Sequence, residues 1–139
     1  MWGSKRDGAS NDTSPPPSDA LDEPVIRTIA MPADANPAGD IFGGWLMSQM
    51  DLAASSIATR RAAGRVATVA VEAMAFLQPV TIGDEVSLYG RLISTGRTSM
   101  KVAVEAFRRH RHEEERVKVT EGVFTFVAIG ADRRPRPLP

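Results

Sequence analysis

One segment of this chain, residues 41–61, spaces its apolar side chains at the helical period, and the four segments that follow it lean towards the β pattern. Those four run over residues 66–77, 85–95, 98–108 and 117–129. All are rich in β-branched residues and alternate in part. Gly64 marks the helix stop. The breaks between strands fall at Pro79 with Gly83-Asp84, at Ser94-Thr95-Gly96, and in the charged loop 110–116. Upstream, residues 25–29 alternate weakly, as a short strand would. Residues 31–39 carry Pro32, Asp34, Asn36, Pro37 and Gly39 and read as a loop. A short strand, one long helix and then a run of strands is an α+β arrangement. It predicts a mostly antiparallel sheet with one helix covering a face.

The ends differ from this body. Residues 1–23 hold Lys5, Arg6, Asp7, Asp12 and the run Pro15-Pro16-Pro17, and bury too little apolar surface to offset their ordering entropy. They are expected to be a disordered tail. Residues 131–139, with Arg133, Arg134, Arg136 and alternating prolines, are expected to be a second, basic, solvated tail. That leaves one domain over residues 24–130, in keeping with a 139-residue chain.

Charge and composition narrow the partners. Lys+Arg and Asp+Glu are 17 each, so the formal net charge is zero, which argues against a general nucleic-acid or polybasic membrane surface. Cysteine is absent, which removes disulfides, thiolate metal sites and Cys nucleophiles, and fits a reducing, cytoplasmic setting. The longest mostly apolar stretch, residues 41–58, contains Gln49 and Asp51 and does not read as a membrane span.

At about 100° per residue, Phe42, Trp45, Leu46, Gln49, Met50, Ala53 and Ile57 form the stripe expected to pack on the sheet. The opposite face carries Gly44, Met47, Ser48, Asp51, Ala54, Ser55 and Ala58. It has small residues and one charge where a solvated helix usually carries Lys, Glu and Gln. This predicts a helix covered on both sides, by its own sheet and by something else. A lone carboxylate there is costly unless it is hydrogen-bonded or used. Asp51 is therefore either a functional group or a cap for a neighbouring loop.

The glycine pair Gly43-Gly44 opens the helix, where main-chain N–H groups lack intrahelical partners and can stabilise a developing oxyanion. The alternative is a plain entry turn with Asp40 as the N-cap. Gly43 and Asp51 lie about 12 Å apart along a helix rising 1.5 Å per residue. A reacting carbonyl must lie about 3 Å from both the donor and the carboxylate. If both serve one reaction, they come from different copies of the chain, as in a two-fold dimer with apposed helices.

The run Asn36-Pro37-Ala38-Gly39-Asp40-Ile41-Phe42-Gly43-Gly44-Trp45-Leu46-Met47-Ser48-Gln49-Met50-Asp51 resembles the hotdog-fold acyl-CoA thioesterases, in particular the YciA-like bacterial branch, related to the brain-type acyl-CoA hydrolases. The segments Gly64-Arg65-Val66-Ala67-Thr68, Phe76-Leu77-Gln78-Pro79-Val80, Gly96-Arg97-Thr98-Ser99 and Val123-Phe124-Thr125-Phe126 are similar as well. The resemblance implies a hotdog fold, an antiparallel sheet wrapped around one central helix. It implies a homodimer, often assembled further into a trimer of dimers, and hydrolysis of acyl-CoA to free CoA and a carboxylic acid. It assigns the catalytic carboxylate to Asp51 and the thioester-polarising N–H to the partner's Gly43-Gly44 turn. Asp40 matches a polar position beside the active site, and Thr68 a hydroxyl near the attacking water. Arg97, Thr98 and Ser99 match a turn that helps hold the CoA phosphates. No cofactor is implied, because coenzyme A is part of the substrate. Where other branches carry His before the glycine pair, this chain has Phe42, so a histidine-assisted variant is not available.

The remaining candidates have two readings each. Arg65, Arg97 and Lys101 are placed to meet CoA phosphates or are ordinary surface charge, and the latter is favoured for Lys101. Trp45 and Phe76 either line an acyl pocket or pack in the core. The His110–His112 pair, set among arginines and glutamates, reads as a solvated hairpin tip rather than a metal site. Two other functions fit the same fold. A hydratase or dehydratase would need a His paired with a carboxylate, and the body offers no His outside the 110–112 loop. A non-catalytic acyl-CoA sensor would keep the groove and drop the acid, and Asp51 is present.

Overall fold

The structure, a computed structural model, describes residues 23–139. Most of the expected N-terminal tail, Trp2 included, lies outside the described residues. The elements run β1 (Ile26–Ile29), a 3-10 turn (Pro32–Asp34), α1 (Gly43–Ala62), β2 (Val66–Phe76), β3 (Glu85–Thr95), β4 (Ser99–Arg109) and β5 (Arg116–Ala128). The five strands form one sheet in the order β1-β3-β4-β5-β2, every neighbour antiparallel. The α+β expectation therefore holds, with strand ends shifted by at most one residue.

Successive side chains point to opposite faces of the sheet, and along the middle of β3 and β4 both faces are buried, Ser87, Ala103 and Glu105 included. Val86 and Leu88 of β3, Met100, Val102 and Val104 of β4, and Phe124 and Phe126 of β5 are fully buried towards α1. The helix answers with Leu46, Met50, Ala53, Ala54, Ala58 and Ala62. This corrects the expected stripe. Ala54 and Ala58, assigned above to the outer face, have no exposed surface, whereas Phe42 is 49% exposed. The i, i+4 row 46–50–54–58–62 rests on the sheet, and its alanines let the helix sit close to the strands. Gly90 of β3 completes the fit, because a Cβ built there would lie 2.8 Å from Ile57 Cδ1.

Two helix-end readings also change. The N-cap is Phe42, without a side-chain hydrogen bond, so Asp40 is not the cap. The left-handed residue at the C-terminal end is Ala63 (φ 54°), one position before Gly64. Gly64 follows it, its N–H donating to the Thr59 carbonyl (3.3 Å), and a Cβ there would lie 2.6 Å from Arg136 Nη2.

That contact belongs to a larger correction. Residues 131–139 are mostly exposed, Arg133 and Arg134 among them, but the segment is tied to the body at Arg136 and Leu138. The Arg136 guanidinium donates to the carbonyls of Ala62 (2.8 Å) and Ile129 (3.2 Å), and Leu138 packs against the core. A cation at a helix C-terminus satisfies open carbonyls and complements the dipole. His110 is likewise more than a solvated tip, since its Nδ1 lies 2.7 Å from Oδ1 of the buried Asp84.

On the outer face of the sheet, Lys118 bridges Glu105 (2.7 Å) and Glu121 (2.5 Å). Burial pushes the Glu105 carboxyl above its ordinary 4.5, outweighing the lowering by Lys118. Burial lowers Lys118, but its two carboxylate partners together raise it above 10.5.

Two outcomes follow from this packing. Gly90→Val overfills the contact with Ile57 and lowers stability by about 1–3 kcal/mol, read as an earlier urea midpoint. An unchanged midpoint would mean that the helix does not rest on this strand. A carboxyl raised in the folded state holds its proton longer than in the unfolded chain. Its contribution therefore falls as pH rises from 4.5 through the raised value. Glu105→Gln should flatten that part of the melting-temperature profile, whereas a parallel profile would contradict it.

Candidate active site

The site grows from the contact between α1 and the edge strand β2. Asp51 lies two turns into the helix, and Thr68 is the third residue of β2. The Thr68 hydroxyl donates to Asp51 Oδ1 at 2.8 Å. The pairing of β2 with β5 is irregular between Thr68 and Ala70, which leaves Val69 as an extra residue, 57% exposed. Such a bulge re-aims neighbouring side chains. The Asp51 carboxylate is thus held by a side chain from a separate element, and the loop-cap alternative is not realised. Ser48, the other nearby hydroxyl, donates to the Trp45 carbonyl instead (2.8 Å).

Asp51 and Thr68 line a cavity of about 280 Å³ together with Gly44, Met47, Ser48, Val71 and Phe124. A second cavity, about 330 Å³, begins at the helix N-terminus and is lined by Ile41, Phe42, Gly43, Leu46 and residues 76–80. Phe76 borders Gly43, with its Cζ 3.5 Å from a Cβ built there, and is 52% exposed. Of the two aromatic candidates, Phe76 lines a cavity and Trp45 packs against the core.

The first intrahelical bonds are donated by Trp45 and Leu46 to the Phe42 carbonyl. The N–H groups of Gly43 and Gly44 donate to no described residue. They are open donors at the positive end of a 20-residue helix. Gly44 shares the Asp51 cavity within one protomer, whereas Gly43 opens into the other.

The other candidates fall outside both cavities. Asp40 is exposed, forms an isolated bridge with Thr81, and receives its shape from Asn36, whose Oδ1 accepts from the N–H groups of Ala38 (2.9 Å) and Asp40 (3.0 Å). That Asx turn, with Gly39 at φ 95°, sets the entry to the helix. It is a role for Asn36 that the motif reading missed and that an Asn three residues before a Gly signals. Arg97 is exposed at the β3–β4 turn, with Thr98 and Ser99 half-buried beside it. Arg65 is exposed just before β2. Lys101 pairs with Glu72 at 2.8 Å, which gives it a surface role. Among the described residues no cluster of three or more His, Asp or Glu is arranged to hold a metal.

Comparison with known proteins agrees with this geometry. The thioesterase superfamily profile matches residues 38–115. The chain is 56% identical over 117 residues to an uncharacterized acyl-CoA thioester hydrolase of Zymomonas mobilis, covering 84% of this chain and 78% of that one. It is 50% identical over 120 residues to the acyl-CoA thioester hydrolase YciA of Salmonella typhimurium, covering 84% and 90%. The crystal structure of a hexameric thioesterase from Yersinia pestis superposes with a TM-score of 0.79 at 50% identity, covering 84% and 95%. A sheet folded around one acid-bearing helix, matched over this length, defines a hotdog-fold thioesterase. The chain belongs to the thioesterase superfamily, in its YciA-like branch of acyl-CoA thioester hydrolases.

The Asp51–Thr68 bond yields a direct test. Thr68→Val keeps the branched shape and removes the donor, and should lower thioester turnover about tenfold or more, the scale of a lost hydrogen bond to a charge. Thr68→Ser should retain most of it. Equal rates for Val and Ser, measured by thiol release, would show that the hydroxyl is dispensable.

Proposed function

We propose that this chain hydrolyses acyl-CoA thioesters, with Asp51 as the catalytic carboxylate and a main-chain N–H of the partner's Gly43-Gly44 turn as the oxyanion donor. The observation that carries this reading is the Thr68-held carboxylate facing a cavity, on a helix whose first two N–H groups are unused. The names of the relatives above support the substrate class.

In this reading the thioester carbonyl oxygen sits at the glycine N–H groups while negative charge develops on it. Asp51 either takes a proton from the attacking water or attacks the acyl carbon itself, giving an anhydride that water then opens. On both routes the C–S bond breaks, CoA leaves as the thiol, and an oxygen from water ends in the carboxylic acid. Thr68 orients the carboxylate. The apolar cavity at Phe42, Phe76 and Leu77 suits an acyl chain, and the exposed Arg97 turn suits the CoA phosphates.

A second copy is part of the proposal. The donor and the acid are about 12 Å apart on one helix, too far for one carbonyl to touch both. The outer edge of β2 is unpaired in the protomer, and Val69, Val71, Met47 and Leu52 leave apolar surface exposed beside it and on α1. A homodimer that pairs these edges, assembling further to a hexamer as the Yersinia pestis protein does, covers that surface and brings the two groups together.

Asp51→Asn should lose about 10²–10⁴ in turnover while KM for acyl-CoA stays near wild type. Gly43→Pro deletes one donor at a position where the helix tolerates proline. The preceding Phe42 has φ −59° and ψ 137°, which suits a residue before proline. It should cost about 10²–10³ if Gly43 supplies the N–H. Mixing the two inactive variants under conditions that exchange subunits should restore activity, because each mixed dimer regains one intact site. Persistent inactivity in verified mixed dimers would exclude the shared site. Full turnover by Asp51→Asn would exclude the assignment itself.

A further inference from the structure

The chemistry proposed above leaves one buried acid without a role. Asp84 opens the way into β3, and its side chain is 3% exposed. Its Oδ2 accepts from Thr81 N–H (2.9 Å), and its Oδ1 lies 2.7 Å from His110 Nδ1. The turn it belongs to already closes through main-chain bonds. Asp84 N–H donates to the Thr81 carbonyl (3.1 Å), Gly83 N–H donates to the Ala30 carbonyl (2.8 Å), and Gly83 takes φ 93°. A buried carboxyl group and an imidazole behind it are costly additions to such a turn. They hold the position of Thr81 more tightly than chain reversal requires.

That position matters for the site because the entry to α1 leans on it. Ile41 N–H donates to the Val80 carbonyl (3.1 Å), and Asp40 forms its isolated bridge with Thr81. The glycine pair begins two residues after Ile41. The same stretch walls the apolar cavity, with Pro79 and Val80 on one side and Ile41, Phe42 and Gly43 on the other. The end of β4 reaches this stretch at two points. His110 reaches it through Asp84, and Arg108, two residues earlier, donates from Nε to the Pro79 carbonyl (2.8 Å). Residues two apart at a strand end lie on one side of the strand, so both can serve one loop. Arg109, between them, pairs with Glu85 (2.6 Å).

We propose that Asp84, His110 and Arg108 are positioning residues for the hydrolysis. They brace residues 79–81, the brace fixes the entry to α1, and the entry presents the Gly43-Gly44 N–H groups at a constant place beside the cavity. A preorganised donor stabilises the developing oxyanion without reorganising during the reaction, and a loosened one loses that advantage. The proposal rests on the reading of those N–H groups as oxyanion donors. It adds residues that touch neither the substrate nor the reacting atoms.

The test starts from His110, whose side chain is 37% exposed, so that its replacement is compatible with folding. His110→Ala leaves Asp84 Oδ1 without its partner. It should lower kcat for an acyl-CoA about tenfold or more with KM changed less than about twofold, because the loss falls on the transition state. His110→Asn presents an amide nitrogen where Nδ1 stood and should retain most of the wild-type kcat. Arg108→Met keeps the stem and removes the donor, and should repeat the alanine result. Amide hydrogen exchange of the full chain without substrate gives a second readout. In His110→Ala and Arg108→Met, peptides over residues 36–46 and 77–84 should exchange faster, while peptides over β5 keep the wild-type rate. An unchanged kcat in both variants, equal losses for His110→Ala and His110→Asn, or exchange that rises throughout the chain overturns the brace and leaves the hydrolase reading intact. Absence of thiol release by the wild type from any acyl-CoA overturns the hydrolase reading, and the exchange pattern then decides separately whether the brace holds the helix entry.

Discussion

The hydrogen bond from Thr68 to Asp51 ties the single helix to the edge of the sheet, and the rest of the site is arranged around it. A carboxylate on a helix packed against its own sheet loses water on one side and needs a donor from the neighbouring element. The donor comes from a strand whose pairing is interrupted at the next residue. Had β2 continued in regular register, its side chains would have kept strict alternation between the two faces. The close seating of α1 allows this short contact. It depends on the alanines at 54, 58 and 62 and on the missing side chain at Gly90, so the packing of the core and the position of the acid are one problem.

The helix has two chemically different ends, and the fold uses both. At the N-terminus the glycine N–H groups are left open beside an apolar cavity, which suits a polarised carbonyl with an acyl chain behind it. At the C-terminus the open carbonyls are closed by Arg136 from the end of the chain. The same segment reaches the β3–β4 turn, where Leu138 N–H donates to the Arg97 carbonyl.

Much of this was legible in the residues. The helix, the four long strands and their breaks follow from periodicity and from Gly, Pro and Asp at the turns, which act locally. Asp51 stood out because one charge among small residues is unusual on a helix face, and the motif around it pointed to a hotdog thioesterase. The fate of Ala54 and Ala58 was not legible. Alanine fits a tight contact with a sheet as well as one with a partner, and the choice depends on where the strands lie. Arg136 was missed for a similar reason. A Pro- and Arg-rich segment has the composition of a solvated tail, and its docking depends on two carbonyls and a glycine far away in sequence.

The amino-acid order by itself determined the sequence of elements, the family, and the candidate acid and glycine pair, because these rest on local spacing and on a continuous motif. Only the tertiary structure decided that Thr68, rather than Ser48, holds Asp51. It alone placed Phe76 in a cavity and Trp45 in the core, and seated the Arg136 guanidinium against Gly64 at the helix stop. Each of those outcomes depends on which distant segments meet. Hydrogen bonds and close packing act over a few ångströms in space, whatever the separation along the chain.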